Sequence, residues 1–165
     1  MKTLTWELRR GLSWTSRTIG WFGAGYYSHI DVLTPQGCLR GARSDWIMGI
    51  PPGYRDRPLN YEKVEAHVRY TLSVSDQQYK DYWNFSNAQL GKPYDSRGLV
   101  RAFVFGWPRD RDWRDPSAWW CSEQVARNGE VAGLWSIDPK ERNVEPGHCA
   151  YLFAGKGAYR QEMPV

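Results

Sequence analysis

The sequence predicts an α+β domain: an antiparallel sheet with helices packed to one side. Three features lead there. Residues Val64 to Val74 alternate apolar and polar side chains along a full strand length. Two earlier β-rich segments, Tyr26 to Leu33 and Cys38 to Arg43, flank the turn Thr34-Pro35-Gln36-Gly37 and read as a hairpin. The helical stretches come after the first strands instead of alternating with them, as in a sheet whose helices are segregated.

Taken in order, residues 4 to 10 alternate weakly and are expected as an edge strand. Ser16 to Phe22 reads as a short helix capped by Ser16 or Thr15, with Gly23 and Gly25 breaking the chain after it. If the hairpin loop is the four residues 34 to 37, position 29 pairs near position 42. Ile50 to Pro58, rich in Pro, Gly and charge, is expected as a loop. In the strand Val64 to Val74, the even positions form the apolar face, and Glu65, His67, Arg69, Thr71 and Ser73 form the polar one. His67 is therefore expected to be solvated. Ser75 caps a helix running to about Leu90 and closed by Gly91, with Tyr79, Tyr82, Trp83 and Ser86 on one face. Leu99 to Phe105 is a second helical stretch. A loop from Trp107 to Trp119 leads into a helix from Trp120 to about Asn128, or to Val131. Pro146 opens a last short helix through Phe153. No repeat, low-complexity tract or linker interrupts the sequence, so residues 1–165 are expected to form a single domain.

A chain of 165 residues buries enough surface to fold without covalent staples. Ten Trp, ten Tyr and five Phe exceed what a minimal core needs, so some are expected to line a groove. The net charge of +4 and pI of about 9.0 suit an anionic partner without selecting one. The arginines are scattered, so nucleic-acid binding is not expected. The three cysteines, Cys38, Cys121 and Cys149, do not form a disulfide framework, and no Cys-x-x-Cys pair offers a zinc site. No metal or cofactor is expected. The first residues lack the apolar run of a signal peptide, and no apolar stretch approaches the ~20 residues of a membrane span. The expectation is a chain made in soluble form, carried by another route if it acts outside the cytoplasm.

Two segments carry chemistry. In Ser28-His29-Ile30-Asp31 a histidine sits in a strand after a Gly/Tyr-rich loop. In Trp119-Trp120-Cys121-Ser122-Glu123 a cysteine sits where a helix begins. Backbone N–H groups and the positive end of the helix dipole stabilise a thiolate there, and the same N–H groups can hold an oxyanion. A histidine within hydrogen-bond reach completes a nucleophile–base pair, and a third polar group usually orients it. The ordinary alternatives are a small buried cysteine and a packed histidine. Cys38 and Cys149 read as buried thiols, and His148 as a loop or helix-start residue. The Trp119-Trp120 pair reads equally as core or as the wall of a groove.

At these residues the chain resembles the circularly permuted branch of the NlpC-type papain-like cysteine hydrolases, the YiiX-like proteins. More distantly it resembles the lecithin–retinol acyltransferase group. In that branch the His strand precedes the Cys helix. Tyr27-Ser28-His29-Ile30 is similar to the family's Ser-His-Val segment. Trp120-Cys121-Ser122-Glu123 is similar to its Trp/Phe-Cys-Ser-Glu segment, and Gly91-Lys92-Pro93-Tyr94-Asp95 to the Gly-x-x-Tyr-Asp stretch between them. The resemblance runs from about Leu4 to Phe153. It implies a permuted papain-like fold, Cys121 as nucleophile, His29 as base, and Tyr94, Trp120 and Ser122 in the substrate or oxyanion neighbourhood. One position departs from the pattern. The family's third polar residue lies on the strand after the His, where this chain has Gly41. Asp31 is the first candidate to replace it, because two residues along a strand keeps it on the face of His29. Ser44 and Asp45 come next.

The implied function is cleavage of a peptide-like amide, with bacterial cell-wall peptide as the leading substrate class and a phage-tail or secretion assembly as a fitting context. One alternative keeps the same pair on a lipid ester or acyl donor. The other, suggested by Gly41, is a structural or binding module that has lost activity.

Overall fold

Leu4, Trp6 and Leu8 alternate with Thr5, Glu7 and Arg9, and this pattern builds the centre of the molecule. In the computed structural model, which describes residues 1–12, 26–96, 113–115, 117–141 and 144–165, they lie in β1 (Lys2–Gly11). The other strands are β2 (His29–Leu33), β3 (Leu39–Arg43), β4 (Gly53–Arg57), β5 (Val64–Val74) and β6 (Tyr159–Glu162). All are antiparallel, in the order β4-β3-β2-β1-β5-β6. Among the described residues three helices accompany this sheet: α1 (Asp76–Ala88), α2 (Cys121–Val131) and α3 (Pro146–Gly155). The fold is α+β. The expected helices at 16–22 and 99–105, and most of the loop at 107–119, lie outside the described residues.

The apolar face of the sheet receives all three helices. Trp6 stacks on Phe153 of α3, with ring centroids 4.4 Å apart, and its indole Nε1 donates to Tyr82 Oη of α1 at 2.8 Å. Ile30 and Val32 of β2 share the same core with Val125 and Ala126 of α2. Helix α1 begins where expected: Ser75 Oγ accepts from Gln78 N–H, and Gln78 Oε1 accepts from Ser75 N–H, satisfying two donors at the helix start. Six of the seven described tryptophans are buried and only Trp46 is exposed, so most of the described indoles go into the core.

The opposite face is polar and buried at its centre, which explains several departures from expectation. The segment at 4–10 is a central strand, not an edge. Its alternation is weak because Glu7 and Arg9 are buried along with the apolar residues, paired at 2.6 Å. The segment expected as a loop at 50–58 contains β4. Its charged Arg57 is buried because the guanidinium donates to the carbonyls of Gly41 at 2.9 Å and Gly53 at 3.2 Å. His67 is not solvated: its side chain is 12% exposed and Nε2 lies 3.0 Å from Glu7. Burial works against the Glu7 charge, but His67, Arg69 and Arg9 outweigh it and hold the carboxyl near 2. Cys38, expected to be buried, is partly exposed at the hairpin turn. The exposed β6 carries no buried side chain and left no apolar pattern to read.

Hairpin register matters for the site. Val32 pairs with Arg40 and Leu33 with Leu39, so the loop holds five residues and position 31 lies opposite 41. The expected pairing of 29 near 42 is one residue out. Because side chains alternate across a strand, that single step decides whether 31 and 41 share a face.

Gly129 in α2 tests this packing. A Cβ there would stand 1.9 Å from Cζ2 of the Trp135 ring. In an open helix Gly→Ala stabilises by roughly 0.5–1 kcal/mol; here Gly129→Ala should instead destabilise by about 1–3 kcal/mol through overpacking. Urea unfolding followed by circular dichroism reads the sign.

Candidate active site

Cys121 is the first residue of α2. Extended Trp120 (φ −87, ψ 158) turns the chain into the helix, and Glu123 reaches back to accept the Trp120 N–H at 3.2 Å. The thiol therefore stands beside the N–H groups of the first turn, which have no carbonyl partner within the helix. His29 is the first residue of β2, at the end of the strand against which α2 packs. Its ring hydrogen-bonds Asp31 and feels the charge of the Cys121 sulfur. Nε2 lies 2.8 Å from Asp31 Oδ1, so Nδ1 is the ring nitrogen that Asp31 does not engage. All three groups are buried: Cys121 and His29 at 7% exposure, Asp31 at 1%.

The electrostatics follow from this geometry. Burial disfavours charge on the His29 ring, but the Asp31 carboxylate and the Cys121 sulfur outweigh it and push the histidine up to about 9. Burial likewise opposes charge on Asp31, yet His29, Tyr61 and Arg9 hold its carboxyl well below the usual carboxylate range. His29 is thus raised above its unfolded value of about 6.5. Its charged form contributes stability that is complete below that pH and is lost as pH rises through 9.

Gly41 explains how Asp31 comes to stand there. A Cβ at position 41 would lie 1.9 Å from Asp31 Oδ1 and 3.0 Å from its Cγ. The space a side chain on β3 would fill holds the carboxylate from β2. Of the other candidates beside His29, Asp45 is committed to Arg43 by two contacts of 2.9 and 3.1 Å, and Ser44 is exposed.

The segment Gly91 to Asp95 is tied on two sides. Tyr54 of β4 exchanges hydrogen bonds with Gly91 and Lys92, at 2.9 and 2.8 Å. Tyr94 bridges to Trp119, and Trp120 Nε1 donates to the Asp95 carbonyl at 2.9 Å. This places Tyr94 near the thiol: burial, then the charges of Cys121 and Glu123, raise its phenol, so it stays protonated. Trp119 and Trp120 are both buried. The Ser122 hydroxyl donates to the Val144 carbonyl at 2.6 Å, and Cys149 Sγ contacts the Ser122 carbonyl at 3.5 Å. Those two side chains secure the first turn of α2 from behind. His148 stands in the first turn of α3, where Nδ1 accepts the Glu145 N–H at 3.2 Å.

Two groups had no signal in the sequence. Tyr61 donates to Asp31 Oδ2 at 2.6 Å, and the Arg9 guanidinium lies over the Tyr61 ring. Tyr61 belongs to no motif, and Arg9 reads as one polar residue of a strand.

No family model and no curated protein matches the chain by sequence. Among solved structures it is similar to the metalloprotein yiiX from Escherichia coli O157:H7, with a TM-score of 0.53 and 19% identity over 79% of this chain. The fold is YiiX-like. The matched region spans 66% of that protein's length. Among the described residues no group of three or more His, Cys, Asp and Glu side chains is placed to hold an ion. No described helix is long and apolar enough to cross a membrane.

Filling the space at position 41 should dislodge Asp31. Gly41→Ala is expected to move the His29 titration from about 9 down toward 6.5, read from ring-proton NMR shifts against pH. A titration left in place would mean that Asp31 Oδ1 does not hold the ring.

Proposed function

We propose that this chain is a cysteine hydrolase of the permuted NlpC-type papain-like kind, with Cys121 as nucleophile, His29 as base and Asp31 as its orienting partner. The observation that carries it is buried His29, hydrogen-bonded to Asp31 and within electrostatic reach of Cys121, which opens a helix. The order of His strand before Cys helix fits a permuted arrangement, and the YiiX-like fold is consistent with it.

The chemistry follows from the three groups. His29 takes the Cys121 proton, and the resulting thiolate attacks a carbonyl carbon. The Cys121 backbone N–H holds the oxyanion, with the Tyr94 phenol close by. The C–N bond breaks as imidazolium His29 gives its proton to the leaving amine, leaving a thioester. Water, deprotonated by His29, then attacks the thioester; the acid leaves and the thiol is restored. Asp31 keeps Nε2–H engaged throughout, so Nδ1 always serves the sulfur.

The leading substrate class is a peptide-like amide in bacterial cell-wall peptide, which the net charge of +4 suits. The lipid-ester alternative leaned on surplus aromatics that would suit an acyl chain, and the burial of six of the seven described tryptophans weakens that support. The inactive-module alternative leaned on Gly41, and Asp31 standing in that space favours an equipped site.

Cysteine labelling tests the pair before any substrate is known. Iodoacetamide should alkylate Cys121 at least tenfold faster at pH 7 than partly exposed Cys38, and His29→Ala should remove that advantage. Mass spectrometry of the labelled peptides measures both; equal rates for Cys121 and Cys38 would refute the hydrolase. Cell-wall peptide fragments and lipid esters, offered side by side, then separate the two substrate classes.

A further inference from the structure

We infer that Tyr61, held between the guanidiniums of Arg9 and Arg43, is a positioning residue that fixes the Asp31 carboxylate with Oδ1 toward His29. This rests on the Cys121–His29 reading above and deepens it.

The hydrogen-bond polarity at Tyr61 is one-way. Arg43 Nη1 donates into the phenol oxygen at 3.1 Å. A phenol has one proton to give, and with its oxygen accepting from Arg43 that proton goes to Asp31 Oδ2 at 2.6 Å. The ring is confined as well: Arg9 Cζ and Arg43 Cζ each lie 5.1 Å from its centroid. The chain on either side is pinned to the same two arginines. Arg9 Nη2 donates to the Leu59 carbonyl at 2.8 Å, and Arg43 Nη1 pairs with Glu62 at 2.8 Å. Residues 59 to 62 thus form a strap drawn over the polar face of the sheet, with the Tyr61 hydroxyl as its contact to Asp31.

Asp31 needs such a hold because other cations attract it. Arg9 from β1 and Arg57 from β4 both feel its charge, while His29 from β2 takes Oδ1. Arg43 from β3, Asp45 beyond it and Cys121 from α2 complete the charged surroundings of the pair. Without the hydroxyl, the carboxylate is free to turn toward the guanidiniums, and Oδ1 leaves Nε2. Burial keeps the Tyr61 phenol well above its ordinary value, so it remains a donor over the whole working pH range.

Tyr61→Phe keeps the ring between both guanidiniums and removes only the hydroxyl. The readouts are the His29 ring titration, assigned by its loss in His29→Ala, and the Cys121 alkylation rate against pH. The titration midpoint should fall by about one pH unit, and Cys121 labelling near pH 8–9 should slow with it. Loss of the hydrogen bond without reorientation would leave Asp31 a stronger partner and raise the midpoint, so an unmoved or raised midpoint overturns the inference. In the Asp31→Asn background, adding Tyr61→Phe should change nothing further, because Tyr61 acts only through that carboxylate. A second measurement needs no variant at 61: the hydroxyl proton should appear as a protected downfield resonance lost in Asp31→Asn, and its absence from the unsubstituted protein also overturns the inference. The two levels fail differently. Labelling of Cys121 that is no faster than Cys38 and indifferent to His29→Ala defeats the hydrolase itself. Fast, His29-dependent labelling with a wild-type profile in Tyr61→Phe defeats only the positioning role.

Discussion

The buried carboxylate of Asp31 is the group around which the site is organised. A lone carboxylate at 1% exposure would be protonated or expelled. It stays charged because Oδ1 meets His29, Oδ2 meets the Tyr61 hydroxyl, and Arg9 lies close by. Hydrogen bonds to a charged group are worth about 1.5–3 kcal/mol each, and removing one partner strands the other. The glycine on β3, the strap over the polar face and the arginine of β1 are all arranged around this one negative charge.

The sheet has two working faces of different character. One is apolar and carries the helices, and its centre is the stack of Trp6 on Phe153. The other is polar, buried at its centre, and held by ion pairs among Glu7, Arg9, His67 and Arg69. A polar face of this kind gains little net stability from its ion pairs, since desolvation offsets most of their attraction. It does set geometry, because each guanidinium has few arrangements that satisfy its donors. In β1 the two functions meet: Leu8 packs against the helices while Glu7 and Arg9 stand beside Asp31 and His29 in the next strand.

The similarity to yiiX is one of fold, at 19% identity. What the site does depends on its own residues. The thiol and the imidazole come from two elements, α2 and β2, whose ends meet, and each is the first residue of its element. At the start of the helix the first backbone N–H groups have no partner within the helix.

Much of this was readable from the sequence. The alternation of Val64 to Val74, the Ser75 cap, and a helix beginning at about Trp120 to Cys121 are local patterns, and local rules place them. Ser28-His29 and Cys121-Ser122-Glu123 pointed to the two groups of the proposed pair by short motif, and Asp31 by strand periodicity. The charged strand β4 and the central place of β1 were not readable, because buried arginines and glutamates look like surface until their partners are known. Tyr61 had no local mark at all; its importance comes from Asp31, thirty residues away. Register shows the division plainly. The sequence by itself determined that His29 and Asp31 share a face, since alternation is a property of one strand. Only the tertiary structure decided that position 41 lies opposite 31 and that the space a Cβ there would take holds the Asp31 carboxylate, since register depends on a loop of five residues instead of four.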